Sequence, residues 1–456
     1  MMSSLSLIDI AHTHGGVLCG LDRECALTSV AIDSRKVSQG DCFVAIRGER
    51  FDAHEFLDDA IKAGASSLVV EQPQSVELLQ WVVEDSVKAL GKIALENRKR
   101  SEAPLIAITG SNGKTSVKEM LASILGQSGN VLATRGNFNN EVGVPLTLFR
   151  LSPEHNYAVI EMGASVSGDI KYLCDIAEPT VSLVNNVGEA HLEKFGSVQN
   201  IFETKGEIYA GLRKGGTAVV NLDSYGAPEY IRRLSDSDYI GFSTESADAD
   251  IYSSSVQYDN QGSSFNLSID GAESLVRLSI PARHNVANAL AAAACAYAVG
   301  ISAEQIVSGL ESFAGVGGRL QVLSGINGST LIDDSYNASP TSAQAAIDVL
   351  ASYSGRRVLV LGDMAELGAS TDQLHADLGV CAREAGIDSL VASRSGGFLT
   401  KHTIDAFGQN GHLFASVEEL VGHLREVADS ETTFLVKGSR ASAMDKVVDQ
   451  LRVEEG

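Results

Sequence analysis

Residues 105–125 read LIAITGSNGKTSVKEMLASIL, and the succession of residue types in that stretch decides the fold of the chain around it. Leu105 to Ile108 form a short apolar run of the length of a buried strand. The chain then passes through Gly110, Ser111, Asn112, Gly113, Lys114, Thr115 and Ser116 into a helical pattern, with Val117, Met120, Leu121, Ile124 and Leu125 on one side. A glycine-rich turn between strand and helix lets backbone N–H groups converge on an anion, and the helix N-terminus adds partial positive charge. A lysine at 114 reaches the terminal phosphates, and a hydroxyl at 115 can hold Mg²⁺. Ile108 stands where the usual first glycine of G-x-x-x-x-G-K-[ST] would be, so what remains is the shorter T-G-x-x-G-K-T-S form. The stretch predicts a nucleotide site for ATP or a close relative. The alternative reading is a glycine turn with a chance lysine.

The rest of the chain narrows the class. Its 456 residues exceed one ordinary core, so two or three domains are expected. A net charge of −23 counts against nonspecific nucleic-acid binding, and an acidic chain that handles nucleotides needs local basic residues and Mg²⁺. The cysteines (19, 25, 42, 174, 295 and 381) are scattered without a C-x-x-C pair, the pattern of reduced cytosolic thiols. The apolar run Ala287 to Val299 is too short to span a bilayer, and the N-terminus lacks a basic-then-apolar signal. A cytoplasmic protein without membrane insertion is expected, and nothing demands more than a monomer.

Residues 1–85 read as a small α/β module. Val30 to Ile32, Cys42 to Ile46 and Leu68 to Val70 are its strands, and Phe51 to Gly64 a helix ending at a glycine. Asp33, Ser34 and Arg35 form either an ordinary cap and turn or part of a pocket for a polar ligand. A second domain is expected over 86–315, opening with an amphipathic helix from Ser86 to Arg100. Tyr157 to Ile160, Ile170 to Ile176 and Thr180 to Val184 alternate as in a parallel sheet covered by helices, where ligands gather beyond the carboxyl ends of the strands. Glu161 directly follows one such strand, well placed to hold Mg²⁺. His191 lies in the loop after another, and Lys205 sits on a probable helix. On residue type alone, His191 reads as a structural loop histidine and Lys205 as a solvated lysine.

Thr134 to Pro145 is dense in glycine and amides, so Asn137, Asn139 and Asn140 suit a phosphate or sugar, or else satisfy their own loop. Tyr239 to Leu278 alternates like a small antiparallel β region. Asn285 and Asn288 share one face of the alanine-rich helix that follows and could flank a planar base. Gly315 to Gln321 marks a boundary, and 316–456 reads as further βα units. The strands there are Thr330 to Ile332, Arg357 to Leu361, Ser389 to Ala392 and Thr433 to Val436. Polar clusters follow three of them: Asp333 to Asn337, Gly362 to Gly368, and Lys437 to Arg440. Together they imply a second binding face. The expected fold is α/β with three domains: a small N-terminal module, a central P-loop parallel-sheet domain and a C-terminal Rossmann-like domain.

Thr109-Gly-Ser-Asn-Gly-Lys-Thr115, Glu161-Met-Gly, His191, Lys205-Gly-Glu, His284-Asn285-x-x-Asn288, Gly318-Arg319-x-Gln321 and Asp333-Asp-Ser-Tyr-Asn-Ala-Ser-Pro340 together resemble the Mur ligases. These are the cytoplasmic amide-bond ligases that build the peptidoglycan stem peptide, and the resemblance covers nearly the whole chain. The Thr134 to Asn140 segment, Asp334 to Asn337, and Leu361 to Gly368 with His375 are similar to the members that add the terminal dipeptide. Ser339 departs from the Asn common in that pattern. The Thr-Thr-Pro motif expected of third-residue adders in the Asn137 region is missing, as is the Asp-Asn-Pro-Arg motif of their diaminopimelate-specific members.

The resemblance implies an ATP-dependent ligase joining D-alanyl-D-alanine to UDP-N-acetylmuramoyl-tripeptide through an acyl phosphate. It implies that Ser34 and Arg35 contact the uridine diphosphate, that Lys114 contacts the β- and γ-phosphates, and that Thr115 and Glu161 hold one Mg²⁺. It places His191 on a second Mg²⁺ and makes Lys205 a carbamate formed with CO₂. Asn285 and Asn288 would border adenine, Arg319 the phosphates and Asp334 the ribose, and Asn337 would belong to the same ATP site. Lys437, Ser439 and Arg440 would lie where the dipeptide is received. The rivals are another Mur-type or folylpolyglutamate-type ligase, a P-loop small-molecule kinase, and a nucleotide-gated binding protein without chemistry.

Overall fold

The computed structural model describes residues 2, 4–20, 26–48, 51–188, 192–234, 238–259, 262–365, 367–394 and 399–453. At its centre is the strand Leu105–Thr109, buried on both faces and flanked by parallel partners, which explains its unbroken apolar run. Alternate residues of this strand face two different cores. Leu105 and Ala107 pack with Leu90 and Ile93 of the helix Ser86–Arg98 and with Leu173 and Ile208. Ile106 and Ile108 pack with Val117, Met120, Leu121 and Ile124 of the helix Lys114–Gly126. Each of these fully buried Leu and Ile side chains contributes roughly 1.5–3 kcal/mol.

The central sheet has nine strands, in the order Ala272–Leu278, Gly262–Ile269, Ile251–Asp259, Tyr239–Ser243, Thr217–Asn221, Val181–Val184, Leu105–Thr109, Tyr157–Glu161 and Val131–Ala133. The stretch expected as a small antiparallel region continues the main sheet and is antiparallel only in part. Tyr239–Ser243 joins it in parallel, and only the two hairpin pairings beyond Ile251 are antiparallel. The alanine-rich helix Arg283–Ala298 lies beneath, with Ala289 and Ala291 to Ala294 fully buried. Small side chains there permit close helix packing. The same economy fixes Gly309 in the helix Ala303–Glu311, where a Cβ would stand 2.3 Å from the Cα of Ile124.

Two larger sheets accompany this one, besides a two-stranded pairing of Leu5–Ser6 with Ala26–Leu27. The N-terminal sheet runs Val17–Cys19, Leu79–Val82, Ser67–Val70, Cys42–Val44, Val30–Ala31, parallel except for its first strand. The helix expected from Phe51 to Gly64 is split. Asp52 accepts the His54 N–H and starts a 3₁₀ turn, Ala53–Phe56, before the α-helix Leu57–Ala63 ends at left-handed Gly64. The C-terminal sheet runs Gln321–Ser324, Thr330–Asp334, Thr432–Lys437, Arg356–Leu361, Ser389–Ser393, Gly411–Phe414, again parallel after an antiparallel first strand.

Register decides where chemistry gathers. Glu161 pairs with Ile108 and Val184 with Thr109, so the phosphate loop, the Glu161 carboxylate and Asn185 emerge side by side. Asp334 and Leu361 both pair with Lys437, which aligns the C-terminal clusters likewise. Among the described residues no helix is long and apolar enough to cross a membrane, and Cys19, Cys42, Cys174, Cys295 and Cys381 form no disulfide.

Candidate active site

Gly113, at φ +79°, opens the helix Lys114–Gly126, and a side chain there is impossible. Its Cβ would fall 2.3 Å from Asn288 Oδ1 and 2.5 Å from Asn185 Nδ2. Those amides latch the loop. Asn185 Nδ2 donates to Asn288 Oδ1 (2.9 Å) and to the Asn112 carbonyl (3.0 Å), while Asn186 Oδ1 accepts the Asn112 N–H at 2.8 Å. Ser111 and Gly188 exchange two further bonds, at 3.0 and 2.9 Å. The relay continues as Asn221 Nδ2 donates to the Asn185 carbonyl and Asn288 Nδ2 to Asn285 Oδ1. Asn285 and Asn288 thus sit buried at the pocket wall while holding the loop through Asn185. The stretch Asn185 to Gly188 stands out in sequence only as a polar strand end; its partnership with Asn112 is a tertiary fact.

Lys114 Nζ donates to the Gly110 carbonyl at 2.7 Å. Burial pushes its ammonium below the usual lysine range, with the Glu161 carboxylate opposing and Arg319 adding to the shift. Thr115 Oγ1 donates to Glu161 Oε2 at 2.9 Å, and Asn139 Nδ2 donates to Glu161 Oε1 at 2.8 Å. Arg319, within the boundary segment 315–321, donates through Nη2 to Thr115 Oγ1 at 3.0 Å. A hydroxyl and a carboxylate adjoining a phosphate loop are the oxygen donors a hard divalent cation takes, so this pair fits Mg²⁺.

Lys205 lies on the helix Val198–Ala210 and is only 4% exposed. Among the described residues it makes no hydrogen bond or ion pair. Burial and the neighbouring Lys114 push its ammonium well below the usual range. A buried amine beside another cation is held towards its neutral form. That reverses the solvated-lysine reading of the sequence.

At the C-terminal end of the pocket, Lys437 Nζ donates to Asp334 Oδ2 at 2.6 Å and to the Asn337 carbonyl at 2.9 Å. Burial pushes the Asp334 carboxyl up, against the pull of Lys437. One pocket of about 900 Å³ is lined by Lys114, Thr115, Glu161, Lys205, Arg319 and Asp334. Most of the other residues singled out from the sequence line it too, namely Ser111, Asn112, Gly113, Ser116, Asn137, Asn139, Asn140, Asn285, Asn288, Asn337 and Lys437. Ser439 is buried outside this lining, and exposed Arg440 pairs with Asp445 at 3.0 Å. Ser34 and Arg35 also lie outside it, on the turn after Val30–Ala31. Arg35 holds Asp33 at 2.8 Å with 85% of its side chain exposed. His191 lies outside the described residues. Tyr336, unremarked within its motif, turns out to lie beneath the Arg319 guanidinium.

Comparison with known proteins accords with this geometry. Residues 108–296 match the Mur ligase middle domain, 318–440 the Mur ligase glutamate ligase domain, and 26–124 the Mur ligase family catalytic domain. The chain is 41% identical over 453 residues to the UDP-N-acetylmuramoyl-tripeptide–D-alanyl-D-alanine ligase of Escherichia coli (strain K12), covering 99% of each. It is similar in structure to MurF from Acinetobacter baumannii, with a TM-score of 0.91 at 35% identity over 98% of both chains. The MurF ligase from Thermotoga maritima in complex with ADP gives a TM-score of 0.85 at 30% identity, over 92% of this chain and 96% of that one.

Proposed function

The chain belongs to the Mur ligase family, and on that premise we propose that it joins D-alanyl-D-alanine to UDP-N-acetylmuramoyl-tripeptide at the expense of ATP, in cytoplasmic peptidoglycan precursor synthesis. The observation that carries this reading is the single pocket onto which the phosphate loop, the Thr115–Glu161 pair and the C-terminal strand ends all open. Three working parts are assigned accordingly: 1–85 for the UDP-linked substrate through Ser34 and Arg35, 86–315 for ATP, and 316–456 for the dipeptide.

The terminal carboxylate of the tripeptide attacks the γ-phosphorus of ATP, the bond to the bridging oxygen breaks, and ADP leaves. The resulting acyl phosphate is attacked at carbon by the neutral amine of the dipeptide. The C–O bond to phosphate then breaks, phosphate departs, and the nitrogen gives up a proton. Lys114, the loop N–H groups and Arg319 hold the phosphates, so that anions which would repel in water are brought together and oriented. Mg²⁺ at Thr115 and Glu161, with His191 at a second ion, would supply further charge neutralisation. Asn285 and Asn288 would border adenine, Asp334 and Asn337 the ribose. Lys205 would add CO₂ through its neutral amine, releasing a proton and leaving a carbamate; its burial and lowered proton affinity support this.

Incubating the protein with ATP, the nucleotide-linked tripeptide and D-alanyl-D-alanine, and reading the product by mass, tests the function. The expected result is the joined product with equal ADP and phosphate, and none when the dipeptide is omitted. A phosphorylated product without an amide would mark a kinase instead, and phosphate release with no joined product would defeat the ligase reading.

A further inference from the structure

The backbone around Arg319 is more elaborately fixed than a chain boundary requires. Gly318 donates its N–H to Asp333 Oδ2 at 3.0 Å, and its carbonyl accepts the Tyr336 N–H at 3.1 Å. A Cβ on Gly318 would stand 3.0 Å from Tyr336 Cβ, so the two segments are in direct contact. Leu320 holds a left-handed conformation, φ +53°, which costs a non-glycine residue roughly 1–2 kcal/mol. Its N–H is secured by Asp334 Oδ1 at 3.2 Å. The outcome is that the Arg319 guanidinium carbon sits 4.5 Å above the centroid of the Tyr336 ring, while Nη2 reaches Thr115 Oγ1. A guanidinium stacked on an aromatic face keeps its in-plane N–H donors free for another partner.

We infer that Tyr336 is a positioning residue for the ligation step: its ring carries Arg319 across the interdomain pocket and holds the guanidinium at Thr115, where the transferred phosphoryl group must pass. The inference rests on the ligase reading above. Arg319 is the long side chain in the pocket that bridges two sheets, and without a platform its flexible stem would sample many rotamers. The ring removes that freedom without spending a hydrogen bond. The useful property is the aromatic face and not the hydroxyl, so phenylalanine should serve as well as tyrosine.

The test uses the full-length chain in the ligation assay, with Tyr336→Phe, Tyr336→Leu, Arg319→Gln and the double variant Arg319→Gln with Tyr336→Leu, read under single turnover so that slow rates are measurable. The expected result is near wild-type kcat for Tyr336→Phe and a loss of about tenfold in kcat for Tyr336→Leu, with KM for ATP changed less than about twofold. In the Arg319→Gln background the Leu substitution should cost nothing more. The inference is overturned if Tyr336→Leu keeps the wild-type kcat, if its loss lies in KM for ATP alone, or if the full loss persists without Arg319. Wild-type protein that makes no joined product would instead overturn the ligase reading itself.

Discussion

Lys205 shows most sharply how a residue's chemistry depends on what surrounds it. An isolated lysine flanked by Thr204 and Gly206 on a helix would be expected in solvent, whereas burial beside Lys114 lowers its proton affinity. The proposed carbamate was suggested in sequence by family resemblance and not by charge pattern, because burial depth is a property of packing. Lys205→Ala should ligate at under about a hundredth of the wild-type rate and recover in part on adding short carboxylates that stand in for the carbamate. Protein equilibrated with ¹³C-labelled CO₂ should also show a carbamate resonance by NMR that the variant lacks. Full activity in Lys205→Ala without a rescue agent would refute the carbamate. By contrast, the placement of Lys114 and Thr115 on a turn that opens to the pocket was legible outright, since it follows from a local strand–turn–helix context.

At the scale of elements, the parallel strands beside the phosphate loop, Leu105–Thr109 and Tyr157–Glu161, were legible because each holds a continuous apolar run, whereas Thr217–Asn221 and Leu79–Val82 were not read. The short antiparallel edges, Val17–Cys19 and Gln321–Ser324, were not, because they are brief and bury little. Glu161 and Asp334 prove to be the last residues of their strands, where sequence placed them just beyond, so the carboxylates are fixed by sheet hydrogen bonding. The loop after Arg356–Leu361 is held by a buried imidazole: His375 Nε2 accepts the Met364 N–H at 3.0 Å, and Nδ1 faces the Thr371 carbonyl at 2.8 Å. Burial pushes its pKa below 6.5. The unfolded chain therefore takes up the proton first as pH falls, so stability is lost from about pH 6.5 down to the folded value and changes no further below it. His375→Gln should lower the melting temperature at pH 7 yet show a shallower fall between pH 7 and 5. Parallel melting curves of variant and wild type over that range would count against this role.

For the whole molecule, what matters is that Arg319 and Thr115, 204 positions apart, meet across the junction of two sheets. The alternation of strands and helices made a multidomain α/β chain legible, and the polar strand ends foretold two binding faces. That both faces open on one pocket was reachable only through the family resemblance, which put Arg319 and Asp334 on the nucleotide, because spacing alone does not show how Gly318 and Leu320 turn the chain. The extension of the central sheet through Tyr239–Ser243 was likewise hidden, as a parallel pairing there leaves the same alternation as a hairpin. The central claim is that this shared pocket grips ATP at the phosphate loop so that a carboxylate becomes reactive. A crystal structure with a nonhydrolysable ATP analogue tests it most directly. The account predicts the triphosphate against Lys114 and the loop N–H groups, with its terminal phosphate within reach of Arg319; a triphosphate lodged elsewhere, away from Lys114, would contradict it.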